Sequence, residues 1–218
     1  QLTSPGLGSD QWITVEQFQL TGGTGANLFD ARKSTIPVTL IGGDGNDTLL
    51  GGSAADNIQG GNNDDVISGG AGTDVLDGGV GNDSVYEKAN VNFTISLVSG
   101  VNQISSTATG TEKPTNVEKF VVVGGDGDNK LDAATATVSV ILIGGKGNDT
   151  LLGGTKADTL IGGSRQLTLA EDGQDTLNGN GGTDTYQNGV GDSIPTLAGG
   201  ESKLDSVFIG LSDWIDAL

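Results

Sequence analysis

Between Gly42 and Tyr86 the chain repeats one pattern every nine residues: GGDGNDTLL, GGSAADNIQ, GGNNDDVIS, GGAGTDVLD and GGVGNDSVY. Glycine fills the first two places of each unit, and aspartate fills the sixth, as Asp47, Asp56, Asp65, Asp74 and Asp83. The eighth place is always aliphatic: Leu49, Ile58, Ile67, Leu76 and Val85. A unit this small cannot bury its apolar side chain alone, so such units do it by stacking on their neighbours. The residues around the eighth place suffice for a short strand, and the glycine pair allows a tight turn with positive φ. The pattern predicts a solenoid with a narrow aliphatic stack.

Weaker patterns flank the array. Residues 1–11 read as an irregular lead-in. Trp12–Leu20 alternates, with Ile13, Val15, Phe18 and Leu20 suited to a half-buried strand. Gly22–Asp30 is a divergent unit with Asn27 in place of aspartate and Phe29 in the buried place, and an eleven-residue spacer then ends in strand-like Val38–Ile41. After Tyr86, Phe93, Ile95 and Leu97 share one face of a strand over Asn92–Val98, and Ser99-Gly100 reads as a turn into Val101–Ser105. The polar stretch Thr107–Thr115, with Gly110 and Pro114, reads as a surface loop, and Val117–Val123 as a strand.

The plan then recurs at an offset of 102 residues: Val15–Phe18 aligns with Val117–Phe120, Asn27 with Asn129, and Gly42–Gly52 with Gly144–Gly154. The second copy carries Asp149, Asp158, Asp175 and Asp184, interrupted by an insertion at Arg165–Asp172, and fades around Asp192. Leu204–Leu218 has apolar residues at helical spacing, as a cap or a docking helix. The expected organisation is a first large repeat over 1–116 (array 42–86, β insert 87–116), a second over 117–203 (array 144–192, insertion 165–172), and a helical segment over 204–218. One continuous solenoid is slightly favoured over two rolls joined by a small β layer.

Composition narrows the function. With 39 glycines but only 5 Phe, 2 Trp and 2 Tyr in 218 residues, the chain does not supply a thick globular core. A formal charge of −18, from 28 acids and 10 bases, argues against nucleic acid or an anionic lipid surface and for cations. Without His or Cys there are no soft-metal ligands and no disulfides. No apolar run is long enough to span a membrane. The chain lacks an initiator Met and a signal peptide, and reads as a piece of something longer. It holds no nucleophile–base set, so it is not expected to be an enzyme through its own residues.

On these residues the chain resembles the RTX, or haemolysin-type, calcium-binding repeat, G-G-x-G-x-D-x-U-x with U a large aliphatic. Units 42–50, 69–77, 78–86 and 144–152 match every specified place, whereas 51–59, 60–68 and 153–161 lack the fourth-place glycine. The resemblance implies an all-β parallel β-roll or β-solenoid in which each unit stacks on the one two places away. It also implies several Ca2+ ions between stacked turns. The implied carboxylate pairs are Asp47/Asp65, Asp65/Asp83, Asp56/Asp74, Asp149/Asp175 and Asp158/Asp184. Backbone carbonyls of the loops containing Gly43, Gly45, Gly70, Gly72, Gly79, Gly81, Gly145 and Gly147 would complete the sites. The insertion is expected to disturb Asp149/Asp175, and the edges beside Asn27 and Asn129 to bind weakly or stay empty. Asp44, Asp64 and Asp77 fall off the ligand place and are expected to be solvated. The alternative for the aspartates is a metal-free cap on backbone N–H groups.

The function implied is a calcium-folded structural or adhesive module of a secreted or cell-surface bacterial protein. The alternative is the non-catalytic RTX portion of a secreted enzyme or toxin whose active domain lies outside this segment. The partner is calcium; self-association and attachment to other domains of a longer chain are left open.

Overall fold

The structure, a computed structural model, describes residues 16–163, 173–187 and 202–203. The lead-in, the whole of the 165–172 insertion, the region of Asp192 and the helical pattern at Leu204–Leu218 lie outside them. Every described element is a strand.

Successive units place their strands on opposite faces of a flattened coil. One face is a single nine-stranded sheet: β2 (Leu28–Asp30), β4 (Thr48–Leu50), β6 (Val66–Ser68), β8 (Ser84–Lys88), β12 (Lys119–Asp126), β14 (Ser139–Lys146), β16 (Thr159–Ile161), β18 (Thr185–Gln187) and β19 (Ser202–Lys203). The other face is divided. Its first part holds β1 (Phe18–Thr21), β3 (Val38–Asp44), β5 (Asn57–Asn62) and β7 (Val75–Val80). Its second part, in spatial order, holds β11 (Gly110–Glu112), β10 (Val101–Ser106), β9 (Phe93–Val98), β13 (Lys130–Asp132), β15 (Thr150–Leu152) and β17 (Thr176–Asn178).

The parallel register follows the nonapeptide. Leu49 pairs with Ile67 and Ile67 with Val85 on the nine-stranded face. Leu40, Ile58 and Leu76 stack in the same way opposite them. All six are buried in one core that continues through Leu142, Leu160 and Tyr186 and through Leu131, Leu151 and Leu177. The eighth-place aliphatics are thus the core, one residue deep on each face, as the composition requires.

The β insert joins the two copies. Val85 of β8 pairs with Phe120 of β12, so the nine-stranded sheet runs unbroken across the boundary. Strands β9 and β10 form an antiparallel hairpin whose turn places Ser99 and Gly100 both in the left-handed region, at φ 54° and 84°. Two left-handed central residues match the right-handed twist of the strands they join. Phe93, Ile95 and Ile104 seal the core, but Leu97, expected on the same face, is 40% exposed near the hairpin tip.

The reading of Thr107–Thr115 as a surface loop is corrected. Gly110–Glu112 is a strand, and Thr109 and Glu112 are buried. Gly110 packs so closely on Gly72 that a Cβ there would fall on the Gly72 carbonyl, and Thr115 bridges to Asp77. Both contacts have the same sequence offset, so Gly110-Thr111-Glu112 lies as the next layer over Gly72-Thr73-Asp74. Thr107, Thr111, Lys113 and Thr115 do face water, but the segment is a turn of the stack rather than a free loop, with Thr109, Glu112 and Pro114 buried.

Candidate metal centre

Each sixth-place aspartate sits at the end of a glycine-rich turn, and all nine named from the sequence are buried, at 0 to 6% exposure. Within each column a backbone N–H of one coil donates to Oδ1 of the aspartate one coil further along. Asn27 donates to Asp47 at 2.7 Å, Asp47 to Asp65 at 2.7 Å, and Asp65 to Asp83 at 2.8 Å. On the opposite edge Val38 donates to Asp56 at 2.9 Å and Asp56 to Asp74 at 2.7 Å. The second copy repeats this: Asn129 to Asp149 and Val140 to Asp158 at 2.8 Å, Asp149 to Asp175 at 2.7 Å, and Asp158 to Asp184 at 2.9 Å. All five expected pairs are stacked. The Asp149/Asp175 layer, expected to be disturbed, keeps its bond, and β15 and β17 on either side of it stay in parallel register.

The second carboxylate oxygen separates two kinds of turn. In units 51–59 and 153–161, which lack the fourth-place glycine, Oδ2 of Asp56 and Asp158 accepts from Gly52 and Gly154 N–H at 2.6 Å. In units 42–50, 60–68, 69–77 and 78–86 the second-place glycine is left-handed, with φ from 82° to 121°, and Oδ2 of Asp47, Asp65, Asp74 and Asp83 is buried without a hydrogen-bond partner. A buried carboxylate oxygen with no donor is costly. Among the described residues the ion pairs are Arg32–Asp30, Lys130–Asp132 and Lys146–Asp126, all away from the columns.

Asn129 shows what surrounds this oxygen. With its amide oriented to satisfy its neighbours, it donates to the Gly124 and Gly127 carbonyls at 3.2 and 3.0 Å. Carbonyls from the first and fourth places of the unit therefore converge on the sixth-place side chain. An amide N–H suits them, whereas an aspartate carboxylate in that place meets oxygen with oxygen. A cation between them resolves the conflict. The donor set is entirely hard oxygen, which suits calcium with its six to eight oxygen ligands. No three acidic, His or Cys side chains converge among the described residues, so carbonyls have to supply most of the ligands. The residues fit the ion: paired aspartates with the carbonyls of their turns would hold it, and its charge would neutralise the columns.

The glycines serve two different needs. Gly43, Gly45, Gly70, Gly72, Gly79, Gly145 and Gly147 all adopt left-handed φ, whereas Gly81 is not among the left-handed residues. Where the fourth-place glycine is lost in unit 60–68, Asn63 takes its conformation at φ 79°. The first-place glycines are instead held by space. A Cβ on Gly42 would fall on its own Asp47 Oδ2 and on the Gly60 carbonyl of the next coil.

Asp44 and Asp64 are exposed and Asp77 is half-buried, and each takes an outer hydrogen bond: from the Asn62 side chain, the Asn82 N–H and the Asn116 side chain, respectively. Two further residues were not legible as site residues. Asp83 N–H donates to Glu118 Oε2 at 2.8 Å, so a glutamate just past the insert caps the Asp47–Asp65–Asp83 column. Glu112 takes the layer above Asp74. The available signal was Gly110-Thr111-Glu112 read against Gly72-Thr73-Asp74.

Burial pushes the carboxyls of Asp65, Asp74 and Asp158 up to about 6 and raises that of Asp83, and neighbouring charges add to the effect. The ordinary aspartate value is 3.8, so between these values the metal-free fold binds more protons than the unfolded chain. This contribution to stability is present at acid pH and is lost as pH rises through about 6. In chelator the protein is expected to show more β signal by far-UV circular dichroism near pH 5 than near pH 8. A rise of β signal with pH in chelator would contradict this.

Fold and site together define a parallel β-solenoid with stacked carboxylate columns. The model of the RTX calcium-binding nonapeptide repeat matches the chain in four copies, at residues 38–56, 50–85, 142–164 and 169–194. These stretches are RTX repeats: the chain carries a structural module that binds several calcium ions and is not catalytic by itself. Repeats of this kind are typical of secreted bacterial proteins. No curated protein matches the chain. Among the described residues no helix is long and apolar enough to cross a membrane.

Proposed function

We propose that this chain is a calcium-folded structural or adhesive module of a secreted or cell-surface bacterial protein. Its ions would be held by the Asp47–Asp65–Asp83, Asp56–Asp74, Asp149–Asp175 and Asp158–Asp184 columns. One observation carries the reading: buried Oδ2 atoms of Asp47, Asp65, Asp74 and Asp83 lack any donor, in glycine turns of the kind whose carbonyls bond the Asn129 amide. Without a cation, the columns repel themselves and the thin core offers little to offset it. With one, binding free energy becomes folding free energy. The duplication at an offset of 102 residues supports a structural or adhesive role, since extending a solenoid adds surface without adding a site for chemistry.

The test is far-UV circular dichroism through a calcium titration, with magnesium as control. A cooperative gain of β signal with calcium alone is expected, because magnesium sheds its water reluctantly and demands a strict octahedron. A signal already complete in chelator would assign the aspartates to the metal-free hydrogen-bonded ladder. For the adhesive role, calcium-dependent retention of the bacterium or its matrix by this segment is the measurement. Equal retention without the segment would remove that role.

A further inference from the structure

The Asp56–Asp74 column does not end at Asp74. Its next layer is Gly110-Thr111-Glu112, where the insert rejoins the solenoid. Glu112 is 0% exposed, and both its carboxylate oxygens are buried without a hydrogen-bond partner. Next to it is a second acid, Glu87, 2% exposed, at the place where the nonapeptide phase would put a first-place glycine. The Glu87 carboxylate accepts from Ser68 Oγ at 3.3 Å and from the backbone of Gly69 and Gly70, which holds it over the Asp74 turn. A cleft of about 300 Å3 opens beside it, lined by Ser68, Gly70, Glu87 and Thr109.

No basic side chain answers these charges. Arg32, at the cleft wall, donates from Nε and Nη2 to the Asp30 carboxylate, and Lys88 is exposed. Among the described residues no ion pair involves Glu87 or Glu112. Glu118, which caps the other column, is exposed and bonded to the Asp83 N–H, so an acid at a column end does not have to be buried and bare.

We propose that Glu87 and Glu112 form a calcium site of their own, outside the nonapeptide repeats, which closes the Asp56–Asp74 column where the insert rejoins the stack. Two carboxylates and neutral oxygens of the adjoining turn make a hard-cation donor set of the same chemistry as the columns. The family match to the first array stops at residue 85, so neither glutamate belongs to a repeat. Burial pushes the carboxyls of both up, the Asp74 charge adds to this for each, and the Glu87 charge adds further at Glu112. Two buried carboxylates with no basic side chain beside them need a positive charge, which is either protons or an ion.

The experiment counts calcium bound to the full chain by equilibrium dialysis at saturating concentration, for the wild type, Glu112→Gln and Glu87→Gln. Each variant keeps size and shape and is expected to bind one ion fewer. Infrared spectra of calcium-loaded wild type near neutral pH are expected to show no neutral carboxyl band. An unchanged ion count in both variants would overturn the site. So would a neutral carboxyl band in the loaded wild type that Glu112→Gln removes. If a variant does not fold, the wild-type infrared measurement decides alone. Failure of the aspartate columns looks different: the wild type would then bind a single ion, which Glu112→Gln abolishes.

Discussion

Asp65→Asn is expected to remove about 5 kcal/mol of calcium-dependent stability, the largest effect of any single charge removal in the first array. Asp65 is the middle member of the Asp47–Asp65–Asp83 column and belongs to two stacked pairs. An ion present at about a hundred times its dissociation constant stabilises the folded state by about 2.7 kcal/mol, so weakening two ions costs about twice that. Total stabilities of domains are about 5–15 kcal/mol, which makes this loss decisive. Asparagine retains an Oδ1 for the Asp47 N–H, so the ladder bond survives and the effect isolates the charge. The measurement is urea unfolding in about 10 mM calcium, well above the roughly 10⁻⁴–10⁻³ M dissociation constants of extracellular modules. The neighbouring Asp64→Asn is the control: Asp64 is exposed and its Oδ1 serves only the outer bond to Asn82, so a change within about 0.5 kcal/mol is expected. Equal losses for the two variants would mean that Asp65 acts through hydrogen bonding alone.

Gly60→Ala should be as damaging for a different reason. Gly60 does not adopt positive φ, so backbone conformation alone would admit alanine. A Cβ there would fall on its own Asp65 Oδ2 and on the Gly78 carbonyl of the next coil. Neither can move without breaking the stack, and overpacking of this kind costs about 3 kcal/mol or more. Gly23→Ala is the matched control, since a Cβ at Gly23 meets nothing within 4 Å. Its midpoint of thermal unfolding in calcium should stay within about two degrees of the wild type, whereas that of Gly60→Ala should fall by about ten degrees or more. Equal tolerance at the two positions would show that the coils can separate enough to admit a methyl group.

The repeat carried most of this into the sequence. A fixed period makes each place mean one thing, so the places of Asp47 through Asp83 and the aliphatic stack were legible from spacing, while the coil-on-coil register came from the resemblance to the RTX repeat. Legibility failed where the period did. Thr107–Thr115 has the polarity of a loop, and only the backbone contact of Gly110 with Gly72 reveals a turn of the stack. Glu112 and Glu118 were hidden because a longer acid stands in for aspartate after a detour of variable length. The difference between Asp56, satisfied by Gly52 N–H, and Asp65, left with a bare oxygen, was also out of reach. It depends on whether the second glycine turns left-handed, and both units begin Gly-Gly. The insertion is a milder case: extra residues in a solenoid are expected to leave the stack continuous, and only the Asp149/Asp175 turn was in doubt, yet its bond is kept at 2.7 Å.

That last case has a practical side. The bond from one sixth-place N–H to the next carboxylate spans 18 residues within the first array, 20 at Asn27 and Asn129, 26 across the insertion and 35 where Glu118 takes over, always at 2.7 to 2.9 Å. The molecule counts coils, not residues. The Asp149 and Asp175 layers hold this bond although eight more residues separate them than in the first array, 26 against 18. Foreign sequence, such as an epitope or a binding peptide, placed between Gly163 and Gly173 is therefore expected to leave the calcium-dependent β signal unchanged, because the flanking layers hold across a longer separation already.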